Sequence, residues 1–193
     1  MTQHNHLDTA WLDVSGDLTP PAPVDATAPQ CALCQWPAAR LFSLDRLLPE
    51  TGQKHNAVCT SCWLCFNLDT PSAALGALSW LPGMKPADVI NLQRLAIIAF
   101  TAGNDAQRKR GRDVLKWLLR HKKEAEHYWK TVRPAEFALA LSRQHPAERL
   151  ALRRRLAGTH LVMSADAFTD LNLLLPAGLS AGELLDTVNL PAL

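Results

Sequence analysis

Apolar residues recur at helical spacing through much of the second half of this chain. Val89, Leu92, Leu95, Ala96 and Ala99 recur at helical spacing, in steps of three with one of one, and Ile90, Ile97, Ile98 and Phe100 widen the stripe. A helix this apolar is expected to be buried. Pro86 suits its first position, Asp88 its first turn and Gly103-Asn104 its end. An amphipathic segment from about Asp105 to Lys130 follows. Val114, Trp117, Leu118 and His121 form one face, and Arg108, Lys109, Arg110, Arg112, Lys116, Arg120, Lys122 and Lys123 crowd the others. Pro134 to Gln144 and Pro146 to Leu156 read as two further helices. The second ends in Arg153-Arg154-Arg155, where cations suit the helix dipole, and Gly158 supplies the stop. Leu161-Val162-Met163 reads as a strand or an extended connection. The tail holds Leu173-Leu174-Leu175-Pro176 and then Ser180-Ala181-Gly182-Glu183, a capping box for a last short helix. Such an apolar tail needs a surface to cover, on this chain or on another.

The first third of the chain follows a different pattern. Leu41-Phe42-Ser43-Leu44 reads as a short strand, Pro49-Glu50-Thr51-Gly52 as a turn and His55-Asn56-Ala57-Val58 as a returning strand. Cys59 to Leu68 then starts a helix. Residues 1–28 show no periodicity, and the Pro-rich run from Thr19 to Pro29 reads as an extended, mobile arm. Within it Leu7, Trp11, Leu12, Val14 and Leu18 are candidates for docking, either on the domain or on a partner. His4-Asn5-His6 reads as part of an unstructured terminus rather than a metal site. The expected organisation is therefore an arm at 1–28, a small β-hairpin module at 29–70 and a mainly helical region at 71–193.

Composition narrows the class. With 193 residues and 48% hydrophobic content the chain can bury one real core. Its 20 Lys+Arg and 18 Asp+Glu leave a formal charge of +2, so no global field argues for nucleic acid. The most apolar stretch, Leu92 to Phe100, is too short to span a bilayer. A soluble, cytoplasmic protein is expected.

The chemistry lies in the cysteines. Cys31-Ala32-Leu33-Cys34 and Cys59-Thr60-Ser61-Cys62 are two C-x-x-C turns with 24 residues between them. Each turn can place two thiolates on one metal, and two turns close a tetrahedral zinc shell with no position left for water. That is the description of a single structural Zn2+. The competing arrangement, two disulfides, does not suit a reducing compartment, and nothing before Cys31 reads as a secretory signal. Cys65 extends the second pair, so one of five thiols is spare. Cys31, Cys34, Cys59 and Cys62 are the preferred ligands; a set with Cys65 in place of Cys62 stays open.

A knuckle, hairpin and helix with these cysteines is a treble-clef plan, which is also the metal core of HNH nucleases, so the expected fold class is α+β with an HNH-like module. In that class the first strand carries an Asp-His pair whose His activates water. Here the position reads Asp45-Arg46, and arginine cannot accept a proton near neutral pH. Asn56 falls where the class has its Asn. Asn67 is only a weak amide ligand, and His55, the remaining candidate base, is expected nearer the end of the hairpin. No catalytic residue is assigned, and a zinc closed by four thiolates cannot act as a Lewis acid without losing one. No phosphate loop, nucleophile elbow, carboxylate pair or internal repeat is present.

Three segments carry a further likeness: the Cys31-x-x-Cys34 knuckle, the run Cys59-Thr60-Ser61-Cys62-Trp63-Leu64-Cys65-Phe66, and Leu78-Ser79-Trp80-Leu81-Pro82-Gly83-Met84 before an apolar helix. In these the chain resembles the IcmJ/DotN family, the HNH-like zinc-binding component of the type IVB secretion coupling complex, over about residues 29 to 156. The resemblance implies a non-enzymatic adaptor that binds the coupling ATPase through that protein's C-terminal segment, meets the other coupling-complex subunits and is recruited through the ATPase to the inner membrane. By position, Cys31, Cys34, Cys59 and Cys62 match the family's zinc ligands. The chain departs from the pattern in its Pro-rich arm, its short knuckle-to-cluster loop and Asp45-Arg46. Effector secretion and conjugative transfer both remain open. The alternatives are a nucleic-acid-binding zinc protein using the basic segments 108–123 and 153–155, and an HNH-type endonuclease.

Overall fold

Two short stretches of strand account for the hairpin. In this computed structural model, which describes residues 9–14, 23–24, 30–48 and 51–191, strand β2 (Leu41–Leu48) pairs antiparallel with β3 (Gln53–Cys59). The register shifts between Asp45 and Leu48, and Leu41, Leu44 and Leu48 are all buried. Gly52 turns the chain with a positive φ of 66°. A two-residue strand, β1 (Pro23–Val24), adds to the outer edge of β2. Helix α1 (Thr60–Cys65) follows β3 without a loop and is buried along its whole length. It starts at Thr60, with Cys59 as its N-cap, so Cys62 is at its third position and Cys65 at its end.

The second half is not purely helical. After α2 (Pro71–Ala74), strand β4 (Ala77–Trp80) pairs antiparallel with β5 (Thr159–Val162), joining segments some eighty residues apart in sequence. Between them lie α3 (Pro86–Ala102), α4 (Asp105–Leu119), α5 (Lys122–Trp129), α6 (Pro134–Ser142) and α7 (Pro146–Arg155). The single amphipathic segment expected over 105–130 is two helices, broken at Arg120-His121. The carbonyl of His121 turns to accept a hydrogen bond from the Trp80 N–H.

Helix α3 is the centre of the molecule. Ile90, Ile97, Ile98 and Ala99 join the main core, while Val89 and Ala96 face a smaller cluster with Leu81, Val114, Leu118 and Val162. Against α3 packs α4, capped by Asn104 and Gln107 in a capping box. Gly111 permits the close approach: a Cβ there would sit 2.5 Å from the Ala96 carbonyl oxygen. Gln93 of α3 takes over the free edge of β5, donating to the Leu161 carbonyl and accepting from the Met163 N–H. Its buried amide thus does the work of a missing strand.

The first and last described segments pack back on the domain. Residues 9–14 form a strap: Asp13 N–H donates to the Cys65 carbonyl, Leu68 N–H donates to the Asp13 carbonyl, Ala10 N–H donates to the Arg153 carbonyl, and the Arg153 side-chain Nε donates to the Ala10 carbonyl. Trp11, Leu12 and Val14 are buried and Asp13 pairs with Arg46 and Arg149. The expectation of a mobile arm over 1–28 is therefore corrected for 9–14 and for 23–24, because apolar side chains and an ion pair anchor the first and strand pairing the second. Leu7, Leu18, His4-Asn5-His6, Pro49-Glu50 and most of the Pro-rich run lie outside the described residues. At the other end, Leu174 and Leu175 are buried, and Ala38 bridges to Pro176. Helix α8 (Ala181–Thr187), with the Ser180–Glu183 capping box, closes the tail against α3. The apolar tail covers its own chain.

Among the described residues no helix is long and apolar enough to cross a membrane.

Candidate metal centre

The knuckle after Gln30 is a tight turn in which Gln35 takes a positive φ of 60° and its N–H donates to the Cys31 carbonyl. The turn is stitched to the hairpin, since Ala32 N–H donates to Ala57 of β3. This brings Cys31 and Cys34 up to Cys59, the last residue of β3, and Cys62 in the first turn of α1. The Sγ atoms of Cys31, Cys34, Cys59 and Cys62 all lie within 4.8 Å of one another, and all four residues are buried.

The spacing fits a metal better than a bond between sulfurs. A tetrahedral zinc with Zn–S of about 2.3 Å sets its sulfurs about 3.8 Å apart, whereas a disulfide requires about 2.05 Å. The measured separation of Cys34 and Cys59 is 3.6 Å, and all five cysteines are free thiols. The charge balance points the same way. Hydrogen bonds from Cys31, Cys59 and Cys62 draw the Cys34 thiol far below its ordinary value, while burial holds Cys59 and Cys62 well above theirs. Four thiols in one dry pocket cannot all ionise without a cation among them. The four could hold one metal ion, and the donor set and its closed geometry are compatible with one structural zinc.

Cys65 lies outside this group. It is buried at the end of α1, and burial pushes its thiol up to about 12, the behaviour of a small apolar residue.

Sequence reasoning missed Arg94. Its side chain, only 1% exposed, comes from the middle of α3 and places Nη2 2.8 Å from Cys59 Sγ and 3.6 Å from Cys34 Sγ. Nη1 donates to Asn91 Oδ1, and Asn91 Nδ2 donates to the Cys34 carbonyl. The guanidinium also lies over Trp36, 4.6 Å from the ring centroid, and Trp36 Nε1 donates to Leu174 of the tail. Burial alone would lower the guanidinium pKa, but the sulfurs of Cys59, Cys34 and Cys62 outweigh it and raise it. The signal was available: a lone arginine inside a buried apolar stripe requires an anion, and the thiolate pocket is where the chain supplies one.

The nuclease-like positions lie on the hairpin, and two of them face each other across it. His55 lies near the hairpin tip, three residues after Gly52, and there it pairs in register with Asp45, its Nδ1 2.9 Å from Asp45 Oδ1. Both are well exposed, and the hydrogen bond from His55, followed by that from Ser43, lowers the pKa of the Asp45 carboxyl. Arg46 points the other way and donates to Asp13 and to the Val14 carbonyl. Asn56 is buried, accepting from Thr51 and donating to the carbonyls of Arg46 and Gln53, so its amide holds the hairpin tip. Asn67 donates to Trp63 within the turn after α1. Among the described residues the four cysteines are the one cluster of three or more metal-ligating groups.

No family model matches this chain. No curated protein matches it either. The metal centre therefore stands on its own geometry.

Arg108, Lys109, Arg110 and Arg112 of α4 are exposed, as the amphipathic pattern required. They are partly engaged within the chain: Lys109 pairs with Asp113, Arg108 donates to the Gly103 carbonyl and Arg112 lies over Phe100.

Proposed function

We propose that the chain is a zinc-stabilised adaptor without catalytic activity, built on a treble-clef, HNH-like module and serving a type IVB secretion or related conjugative coupling complex. The observation that carries the non-catalytic half is the closed cluster of Cys31, Cys34, Cys59 and Cys62. Four buried thiolates leave a zinc no position for water or substrate, and the buried Arg94 side chain donates to two of those sulfurs. Two further observations support it. Arg46, at the position of the class's general base, is committed to the strap through Asp13. The Asp45–His55 pair is exposed, with no further group of metal-ligating side chains beside it among the described residues.

The adaptor half rests on the resemblance carried by the knuckle, the Cys59–Phe66 run and the Leu78–Met84 segment. It assigns the partner as the C-terminal segment of a coupling ATPase, which would recruit the chain to the cytoplasmic face of the inner membrane. The test uses the zinc-loaded protein as bait in an extract of its native cells, with mass spectrometry of what it retains. Recovery of a coupling-type ATPase, followed by saturable binding of that protein's purified C-terminal segment, is the expected result. Recovery of nucleic acid without an ATPase, with an affinity that falls steeply with salt, would overturn it in favour of the basic surface of α4.

A further inference from the structure

A zinc held by four thiolates carries two negative charges in excess, and the four cysteines that would carry that charge here are all buried. Arg94 is the cation that meets it. We infer that Arg94 sets the electronic state of the zinc–thiolate centre, donating from Nη2 to Cys59 and Cys34 so that the bound sulfurs are weaker nucleophiles than an unshielded four-thiolate site would present. The inference rests on the zinc reading above and goes beyond it, because a purely structural site needs no control over the reactivity of its ligands.

The geometry is that of a built contact rather than a passing one. The guanidinium is held at three points: Nη1 by Asn91, one face by Trp36, and Nη2 by the two sulfurs. Asn91 in turn donates to the Cys34 carbonyl, so the same turn of α3 holds both the backbone and the sulfur of that ligand. Trp36 is held by the tail through the Leu174 carbonyl. Arginine, unlike lysine, can donate to two acceptors in its own plane while stacking on an aromatic face. A hydrogen bond to a metal-bound thiolate withdraws electron density from the sulfur lone pair, and such outer contacts tune a metal centre without touching the metal.

The consequence is chemical. When a maleimide meets a zinc-bound thiolate, the sulfur lone pair forms a C–S bond to the alkene carbon. The alkene π electrons move to the adjacent carbon, which takes a proton from water. The resulting thioether is a poor zinc ligand, and the ion leaves with its charge unchanged. No electrons pass to or from an external oxidant. A sulfur that already accepts a hydrogen bond from Arg94 has less density to give, so this step is slowed.

The test compares the full-length wild type with Arg94→Met and Arg94→Lys, each loaded with Co2+ for spectroscopy and with Zn2+ for kinetics. In Arg94→Met the sulfur-to-cobalt charge-transfer band is expected at longer wavelength. Zinc transfer to a chromogenic chelator, driven by N-ethylmaleimide, is expected to be roughly tenfold faster, the rate equivalent of one charge-assisted hydrogen bond. Arg94→Lys should fall between the two, restoring charge but not the planar fork. The band position reports sulfur donation and does not respond to mere loosening of the fold. Should Arg94→Met fail to fold, Arg94→Lys decides. A band and a release rate unchanged from wild type in a folded variant would overturn the inference while leaving the zinc site intact. A wild-type chain that takes up neither ion would overturn the zinc reading, and this inference with it.

Discussion

Arg94 and Cys59 are 35 residues apart in sequence, yet Arg94 Nη2 lies 2.8 Å from Cys59 Sγ in the closed interior. The contact joins the hairpin module to the central helix α3 through a charge rather than through packing alone. It couples the two halves of the molecule, because a buried guanidinium of α3 donates to two sulfurs of the hairpin module. Loss of the metal would therefore be felt in α3 and not only in the hairpin.

Replacing Cys31 or Cys59 with Ser should abolish stoichiometric zinc and remove a large part of the roughly 5–15 kcal/mol by which a native domain is stable. Zinc content by atomic emission and thermal unfolding check this together. Cys62→Ser should behave the same way, whereas Cys65→Ser should keep one zinc and lose only about 1–3 kcal/mol for its buried hydroxyl. A Cys65→Ser protein without zinc, beside a zinc-replete Cys62→Ser, would invert the ligand set.

Arg46→Ala should leave zinc content unchanged, since the side chain contacts the strap and not the sulfurs. It removes a half-buried ion pair with Asp13, worth about 1–2 kcal/mol, part of which Arg149 retains. Hydrogen exchange at the Asp13 amide, which bonds to Cys65, should accelerate while exchange in α3 does not. Zinc loss in this variant would mean that the strap supports the metal centre directly.

His160 is buried beside Leu81, and burial lowers its pKa to about 4. The unfolded chain, with a value near 6.5, binds this proton at higher pH than the folded chain does. The contribution of neutral His160 is thus fully present above about pH 6.5, falls as pH drops toward 4, and amounts to at most about 3 kcal/mol across that window. Denaturant unfolding at pH 7.5 and 5.5 should show wild type losing about 1 kcal/mol more than His160→Gln. Zinc loss in acid affects both proteins and cancels in the comparison. Equal losses would show that the imidazole is accessible to protons in the folded state.

Gly111→Ala should destabilise the fold, although alanine is the better helix former by about 1 kcal/mol. The added methyl would meet the Ala96 carbonyl oxygen at 2.5 Å and the Phe100 amide nitrogen at 2.8 Å, so α3 and α4 must separate. A cost of about 1–3 kcal/mol is expected from thermal or denaturant unfolding. A stabilised variant would show that the two helices are free to move apart.

His55→Ala should change neither stability nor zinc content appreciably, because the Asp45–His55 pair is exposed on both sides. The wild type should show no nicking of supercoiled DNA in Mg2+, Mn2+ or Zn2+. Metal-dependent nicking that disappears in His55→Ala would reverse the non-catalytic reading and make the cross-strand pair its base.

Much of this was legible because local rules decide it. The two C-x-x-C turns fix which sulfurs can meet, since each turn is too short to point its thiols apart. Pro86 marks a helix start through its fixed φ and Ser180 another through a capping box made within three residues, and Gly52 marks the hairpin turn through its own φ. The apolar stripe of α3 announces a central helix for the same reason: its period is a property of neighbouring residues. Ser79 and Thr159 gave no such signal. Strand β4 is four residues long, with a half-exposed Trp80 at its end, and it becomes a strand only because β5 arrives beside it after five intervening helices. The break at Arg120-His121 was hidden likewise, because the helical pattern runs on through it while the Trp80 N–H claims the His121 carbonyl.

The sequence by itself determined the hairpin, the central helix and the four sulfurs, all of which depend on spacing along a few turns of chain. Only the tertiary structure decided what surrounds them. It brought Arg94 to Cys59, Asp13 to Arg46, His55 to Asp45, Gln93 to the edge of β5 and the Leu174–Leu175 tail to the knuckle. Each of these is a pairing of polar or apolar groups that finds its partner only when distant segments are folded into one interior, where an unpaired charge or amide would be costly. Local periodicity carries no record of that requirement beyond the odd residue out of pattern, and Arg94 was that residue.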